Sequence, residues 1–404
     1  MRKPTQKFSR EAWIGYSMAL MMLSLFLSRA ALSVSMMLFL VLTIVHGSVG
    51  RQVKFFLQNK FLLFFSLLFW MPFVSGLWSE NLLQWESVVV MKLPLLFFPL
   101  AFAGDWKLSE RKWRQLGFLF IAVVTIGCAW SLLQYFFQPE SFHEAYLQAK
   151  LITTPLENDH VRFSWMVAVA VIVAAFLIPE QKRFSVLLSV VALFLVIYLH
   201  VLAARMGLAC LYIAVFMGLV VKFRKLSLKL RTGILAAVLL LPLLAWLALP
   251  TFQNRLKYFR FDITENWHGH YMPGSNDGAR LLSMRAGADM LAAHPFGVGA
   301  GDLMANTQHW FDTNEPQVIA ADRFPPMNEW LMYGGFAGWP GVLLFSLAVL
   351  FPFFVKDIRH RFFWLILNVI IVFSYFFDMA LEVQYGVFLY SFILLWWYKW
   401  FKPE

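Results

Sequence analysis

The feature that most constrains this chain is a recurrence. Apolar runs near the length of a bilayer crossing alternate with short polar segments from one end of the sequence to the other, at 12–27, 30–45, 61–77, 88–102, 116–137, 161–178, 184–199, 207–221, 234–249, 329–350, 362–377 and 386–397. A helix needs about 20 residues to cross the hydrocarbon, and flanking residues complete the shorter runs. With 60% hydrophobic and 14% charged residues in 404, the chain reads as a single all-α polytopic membrane domain over 1–404, with about twelve transmembrane helices. Only Ser28 and Arg29 separate the first two runs, so the N-terminus predicts a retained helical hairpin and not a cleaved signal.

The formal net charge of +11 would suit nucleic acid if the basic residues formed one surface. They fall instead in short clusters between apolar runs, where membrane topology accounts for them, and no nucleic-acid partner is expected. Placing the N-terminus inside puts 23 of the 34 lysines and arginines in short cytoplasmic segments, the pattern that sets orientation. Twelve spans then leave both termini on the cytoplasmic side. Cys128 and Cys210 lie within apolar runs, which indicates neither a disulfide framework nor a zinc site.

The one long hydrophilic stretch, 251–327, falls on the outer face. Within it, 275–294 predicts a short amphipathic helix: Ser275, Asn276 and Asp277 suit its cap, Pro295 and Gly297 its end, and Leu281, Met284, Ala288 and Leu291 form an apolar stripe. Arg285 has Asp289 four residues on and predicts a solvated ion pair. Arg280 has no acid one turn ahead and is the better functional candidate. The turn GVGAGD contains Gly297 and Gly299. It lacks the Lys-Ser or Lys-Thr of a nucleotide loop and reads as a helix stop whose amides remain available to an anion. His268 and His270, near Asp262 and Glu265, do not make a four-ligand set, and no metal is expected.

Outside the loop, a few ionisable residues sit at or near membrane depth. Arg205 opens a span, where an arginine either snorkels or faces a polar cavity. In the second case its planar fork suits a phosphate better than lysine does. His160 and Arg162 begin another span at about the same outer level, and Asp378 and Glu382 flank the last outer turn. Lys92 lies about a turn inside the 88–102 run, where an ammonium finds a partner, faces water or snorkels.

Arg205, then Arg280 with Met284, then Pro295 with Gly297, Gly299 and Gly301, then Asn328, Leu331, Gly338 and Gly341, in this order on about twelve spans, resemble the O-antigen ligase and O-antigen polymerase superfamily of bacterial inner-membrane glycosyltransferases. Two departures stand out. One residue, not two, separates Pro295 from Gly297, and Met327 occupies the position of the ligases' histidine before the asparagine.

The resemblance implies location in the bacterial cytoplasmic membrane, with 251–327 periplasmic. It implies a transferase that takes a glycan from an undecaprenyl diphosphate carrier and passes it to the lipid A core, as in lipopolysaccharide biosynthesis, or to another glycan, as in a polysaccharide polymerase. No cofactor is expected. Arg205 and Arg280 are expected to stabilise the departing diphosphate. His160 is the candidate base, with Asp378 or Glu382 as alternatives, because the thioether of Met327 cannot accept a proton at neutral pH. Arg162, Asn328, Lys92, Gly297 and Gly299 are candidate substrate contacts. A transporter of lipid-linked glycans is the rival class, and it predicts ionisable residues distributed through the spans.

Overall fold

The computed structural model describes residues 9–46, 48–137, 151–222, 227–267 and 271–402. All twelve apolar runs are helical, and the described residues contain no strand. Among the described residues, seven helical segments are long and apolar enough to cross a membrane, or eight if the bent pair Arg29–Ile44 and Val49–Gln58 counts as one crossing. Shorter apolar helices, including Arg205–Val221 and Arg361–Phe377, pack among them.

We number the helices α1 (Arg10–Ser24), α2 (Arg29–Ile44), α3 (Val49–Gln58), α4 (Lys60–Val74), α5 (Leu82–Lys92), α6 (Pro94–Phe102), α7 (Glu110–Phe137), α8 (His160–Glu180), α9 (Ser185–Leu202), α10 (Arg205–Lys222), α11 (Leu228–Ala248), α12 (Pro250–Trp267), α13 (Asn276–Ala293), α14 (Leu303–Asn314), α15 (Glu329–Leu350), α16 (Arg361–Phe377) and α17 (Gln384–Phe401).

The core gathers around α17. Nearly all of its residues are buried, as expected of a helix that is apolar on every face. Its rings at Phe392, Trp396 and Trp400 stack successively, with interplanar angles of 20° and 17°. Helix α8 lies against α9 and α10. Gly207 of α10 permits that approach, since a Cβ there would stand 2.6 Å from Ser164 Cβ and 2.7 Å from Ser164 O.

The polar stretch is more structured than its sequence predicts. One amphipathic helix is expected there, and α13 is that helix, capped by Ser275 Oγ accepting from the Gly278 amide at 2.9 Å. Two further helices, α12 and α14, flank it. Of the predicted stripe only Leu291 is on the buried face, while Leu281 and Ala288 are exposed. Ala279, Ser283, Ala286, Gly287 and Met290 face inward, and Leu281 is 59% exposed. Small residues win because α13 lies close against the entry to α15: a Cβ on Gly287 would meet Pro326 Cβ at 2.7 Å.

Helix α15 is interrupted at Ala337 and Gly338, the latter with φ of 63°. The turn after α13 docks there, with the Trp339 amide donating to Pro295 O at 2.9 Å and the Val298 amide to Gly335 O at 2.8 Å. No side chain fits at Gly338, because its Cβ would lie 1.9 Å from Pro295 O. The polar loop is thereby fastened to a spanning helix at its closing turn.

Candidate functional site

Three arginines distant in sequence line one cavity of about 430 Å³. Arg205 comes from the start of α10, Arg255 from α12 and Arg280 from α13, and His160 at the start of α8 joins them. Apolar side chains, among them Met206, Phe259, Met284 and Phe377, make up most of the wall. A charge developing in such a space is poorly screened by water, so fixed guanidinium groups act on it more strongly than they would in solvent.

Each polar member is placed by local structure. The α9–α10 link is only two residues long and turns through Ala203 in the left-handed region, φ 51°, which brings Arg205 to the head of its helix. Its Nη1 donates to Asp277 Oδ2 at 2.5 Å, and the guanidinium lies 5.2 Å from the Phe259 ring centroid. Asp277 is held in turn by Asp262, whose Oδ2 accepts the Asp277 amide at 2.9 Å while Oδ1 accepts from Ser275 Oγ at 2.5 Å. Arg280 donates through Nη1 to Phe377 O. Burial lowers the Arg280 pKa from its ordinary value, Asp378 opposes the shift, and Arg205 adds to it; a guanidinium keeps its proton regardless.

His160 is delivered by a strained turn. Leu156, Glu157 and Asn158 all have φ between 57° and 67°, a conformation costing about 1–2 kcal/mol per residue for L-amino acids. Asn158 Oδ1 accepts the Thr154 amide at 3.1 Å, Glu157 pairs with Arg29 at 2.6 Å, and Asp159 caps α8 by accepting the Arg162 amide at 3.1 Å. Strain of this kind persists where surrounding contacts fix it, and here it sets the first residue of α8 against the arginines.

Beside the cavity, the turn 376–382 is held by five side chains from four other helices or their caps. Asn328 Nδ2 donates to Phe376 O at 3.0 Å and Arg280 to Phe377 O. Arg162 pairs with Asp378 at 2.9 Å and donates to Met379 O at 2.8 Å. Glu329 Oε1 accepts the Leu381 amide at 2.5 Å, and Lys92 donates to Leu381 O at 3.0 Å and pairs with Glu382. Burial raises the Asp378 pKa from its ordinary value, opposed by Arg162 and Arg280.

Of the residues singled out by sequence, Arg205, Arg280 and His160 share the cavity wall, and Met284 lies with them. Arg162, Asp378, Lys92, Glu382 and Asn328 belong instead to the frame of the turn. Gly297 and Gly299 do neither. They have φ of 80° and 91°, and four amides of the turn are spent within the protein: Gly297 on His294 O, Val298 on Gly335 O, Ala300 on Ser75 Oγ and Gly301 on Ser79 Oγ. Four amides so engaged fit the reading of this turn as a helix stop. Arg285 pairs with Glu315 at 3.3 Å, not with Asp289, which accepts from the Trp310 indole at 3.0 Å. His268 and His270 lie outside the described residues. Among the described residues no group of three His, Cys, Asp or Glu side chains is placed to hold a metal ion.

Sequence reasoning missed Arg255 and Glu329. Arg255 is one of several basic residues in 251–267 and looks like loop decoration until α12 folds. Glu329 carried a signal, since it is a carboxylate heading an apolar span. No protein-family model matches the chain, and no curated protein matches it.

Proposed function

We propose that the protein is a membrane glycosyltransferase of the O-antigen ligase type, which moves a glycan from an undecaprenyl diphosphate carrier to an acceptor sugar at the periplasmic face of the bacterial cytoplasmic membrane. The convergence of Arg205, Arg255 and Arg280 on one largely apolar cavity carries this reading. In the proposal, twelve crossings place both termini in the cytoplasm and the 251–327 stretch outside, and the cavity opens at that outer level.

In the proposed reaction an acceptor hydroxyl attacks the anomeric carbon and the bond from that carbon to the diphosphate oxygen breaks. The electron pair leaves on the diphosphate, and the hydroxyl proton passes to the imidazole of His160. The arginines bind the diphosphate most strongly as its charge develops, which is the differential binding that lowers a barrier. Asp277 and Phe259 orient the Arg205 guanidinium for that role. Asp378 and Glu382 are less suited to be the base, because each is already paired with a buried cation.

The polymerase reading keeps the same donor and cavity and is favoured by Met327, which leaves no histidine beside Asn328. A strain lacking the protein separates the two. Long carrier-linked chains that never reach the lipid A core indicate a ligase, and single carrier-linked repeats indicate a polymerase. An unchanged glycolipid profile refutes both.

A further inference from the structure

A second cavity, of about 580 Å³, lies at the far end of α16 from the arginines. Arg359 just before α16 borders it, whereas Phe373 and Phe377 near the other end line the first cavity. The 17 residues of α16 separate the two by about 25 Å at 1.5 Å per residue.

Its wall collects six basic side chains from four segments: Arg51 and Lys54 of α3, Lys107 after α6, Arg359, and Lys399 and Lys402 at the end of α17. Among the described residues two acids, Asp105 and Glu110, share that wall. Glu110 is already taken, pairing with Arg359 at 2.6 Å and accepting from the Trp400 indole at 3.2 Å. Lys399 is turned inward, donating to Gly104 O at 2.6 Å and Phe102 O at 3.3 Å, with its ammonium 4.8 Å from the Trp106 ring centroid. Lys402, Asp105 and Lys107 all act on it electrostatically.

The rule that places lysine and arginine in cytoplasmic loops accounts for basic residues at this end, but it asks only that they be present. It does not ask that they come from four segments into one concave space, where their mutual repulsion is a cost. A bound anion offsets that cost, and low-dielectric walls focus the field on it. Aromatic walls at Trp106, Trp113 and Trp400 suit the boundary between headgroups and hydrocarbon.

We propose that this cavity is a binding site for a phosphate-bearing anion, either the headgroup of an anionic phospholipid or a soluble phosphate, on the face opposite the arginine cavity. The proposal is independent of the transferase reading.

The test uses the full-length protein in phosphatidylcholine nanodiscs, with phosphatidylglycerol or with inorganic pyrophosphate added, and reads bound lipid by native mass spectrometry and the midpoint of thermal unfolding. Wild type is compared with the pair Arg51→Gln and Lys54→Gln, both exposed, and with Lys182→Gln and Arg183→Gln. The second pair removes the same charge from an exposed turn outside the cavity. The expected result is an apparent affinity weakened on the order of tenfold by the cavity pair and less than twofold by the control pair. Stabilisation confined to phosphatidylglycerol identifies a lipid headgroup, and stabilisation by pyrophosphate identifies a soluble anion. Equal losses in the two pairs, or no stabilisation of wild type by either anion, overturn the proposal.

Discussion

Gly207→Ala perturbs the proposed active site without touching any side chain in it. The added Cβ would stand 2.6 Å from Ser164 Cβ, 2.7 Å from Ser164 O and 2.8 Å from Ser164 C, where ordinary contact begins near 3.4 Å. Two of these atoms are backbone within α8, so rotating a side chain cannot relieve them. Helix α10 must move away from α8 by about 1 Å, at a cost of about 1–3 kcal/mol. Arg205 is two residues away on α10, and His160 is one turn from Ser164 on α8, so the displacement separates them directly. A 1 Å misplacement of catalytic groups costs about a hundredfold in rate. The assay is glycan transfer in vitro from a labelled carrier-linked donor, normalised to folded protein recovered from membranes. Gly233→Ala in α11 is the matched control, since a Cβ there meets nothing within 4 Å. Full transfer by folded Gly207→Ala protein would refute the claim that the α8–α10 contact sets the geometry of the site.

Arg205→Lys keeps the charge but loses the planar fork, and transfer should fall about tenfold, equivalent to about 1.4 kcal/mol of transition-state binding; near-normal turnover removes the paired-hydrogen-bond role. Arg255→Gln should lower transfer by about ten- to a hundredfold, and a steady-state assay showing no loss returns Arg255 to a structural role. For His160→Ala, kcat should drop at least a hundredfold, the lower end of what a positioned proton acceptor contributes, and retained turnover assigns the proton elsewhere. Lys92→Met leaves Glu382 buried without its cation beside Glu329, and thermal unfolding in detergent should report a loss of roughly 3–5 kcal/mol. Adding Glu382→Leu to that variant should restore most of it.

The helices of the apolar runs and α13 were legible because the runs are long and the caps are local: Ser28, Asp159, Ser275 and Asn328 each accept an amide a few residues on. Arg205 and His160 were legible as candidates because each begins an apolar run at about the same level, and Arg280 because no acid lies one turn ahead of it. Their meeting in one cavity was not, because it depends on a left-handed Ala203, a strained turn at 156–158 and a contact at Gly207 that no local pattern announces. The buried face of α13 was misread for a related reason. Periodicity selects the largest apolar residues, whereas the buried face is made mostly of small ones, with Met290 and Leu291 at its end. The turn at Gly297 and Gly299 was legible as a helix stop, whereas the partners its amides meet were not, because spacing records backbone freedom and not which oxygens lie nearby.

The turn 376–382 bears on how the molecule is made. Its polar contacts span between 48 and 290 positions along the chain, so none of them can form until nearly all of the preceding helices have entered the membrane. Long-range closure of this kind comes late in folding. Phe377, which Arg280 holds, is also part of the cavity wall. During synthesis, therefore, the arginines wait on three separate helices, and the pocket acquires its last wall only as the turn 376–382 arrives.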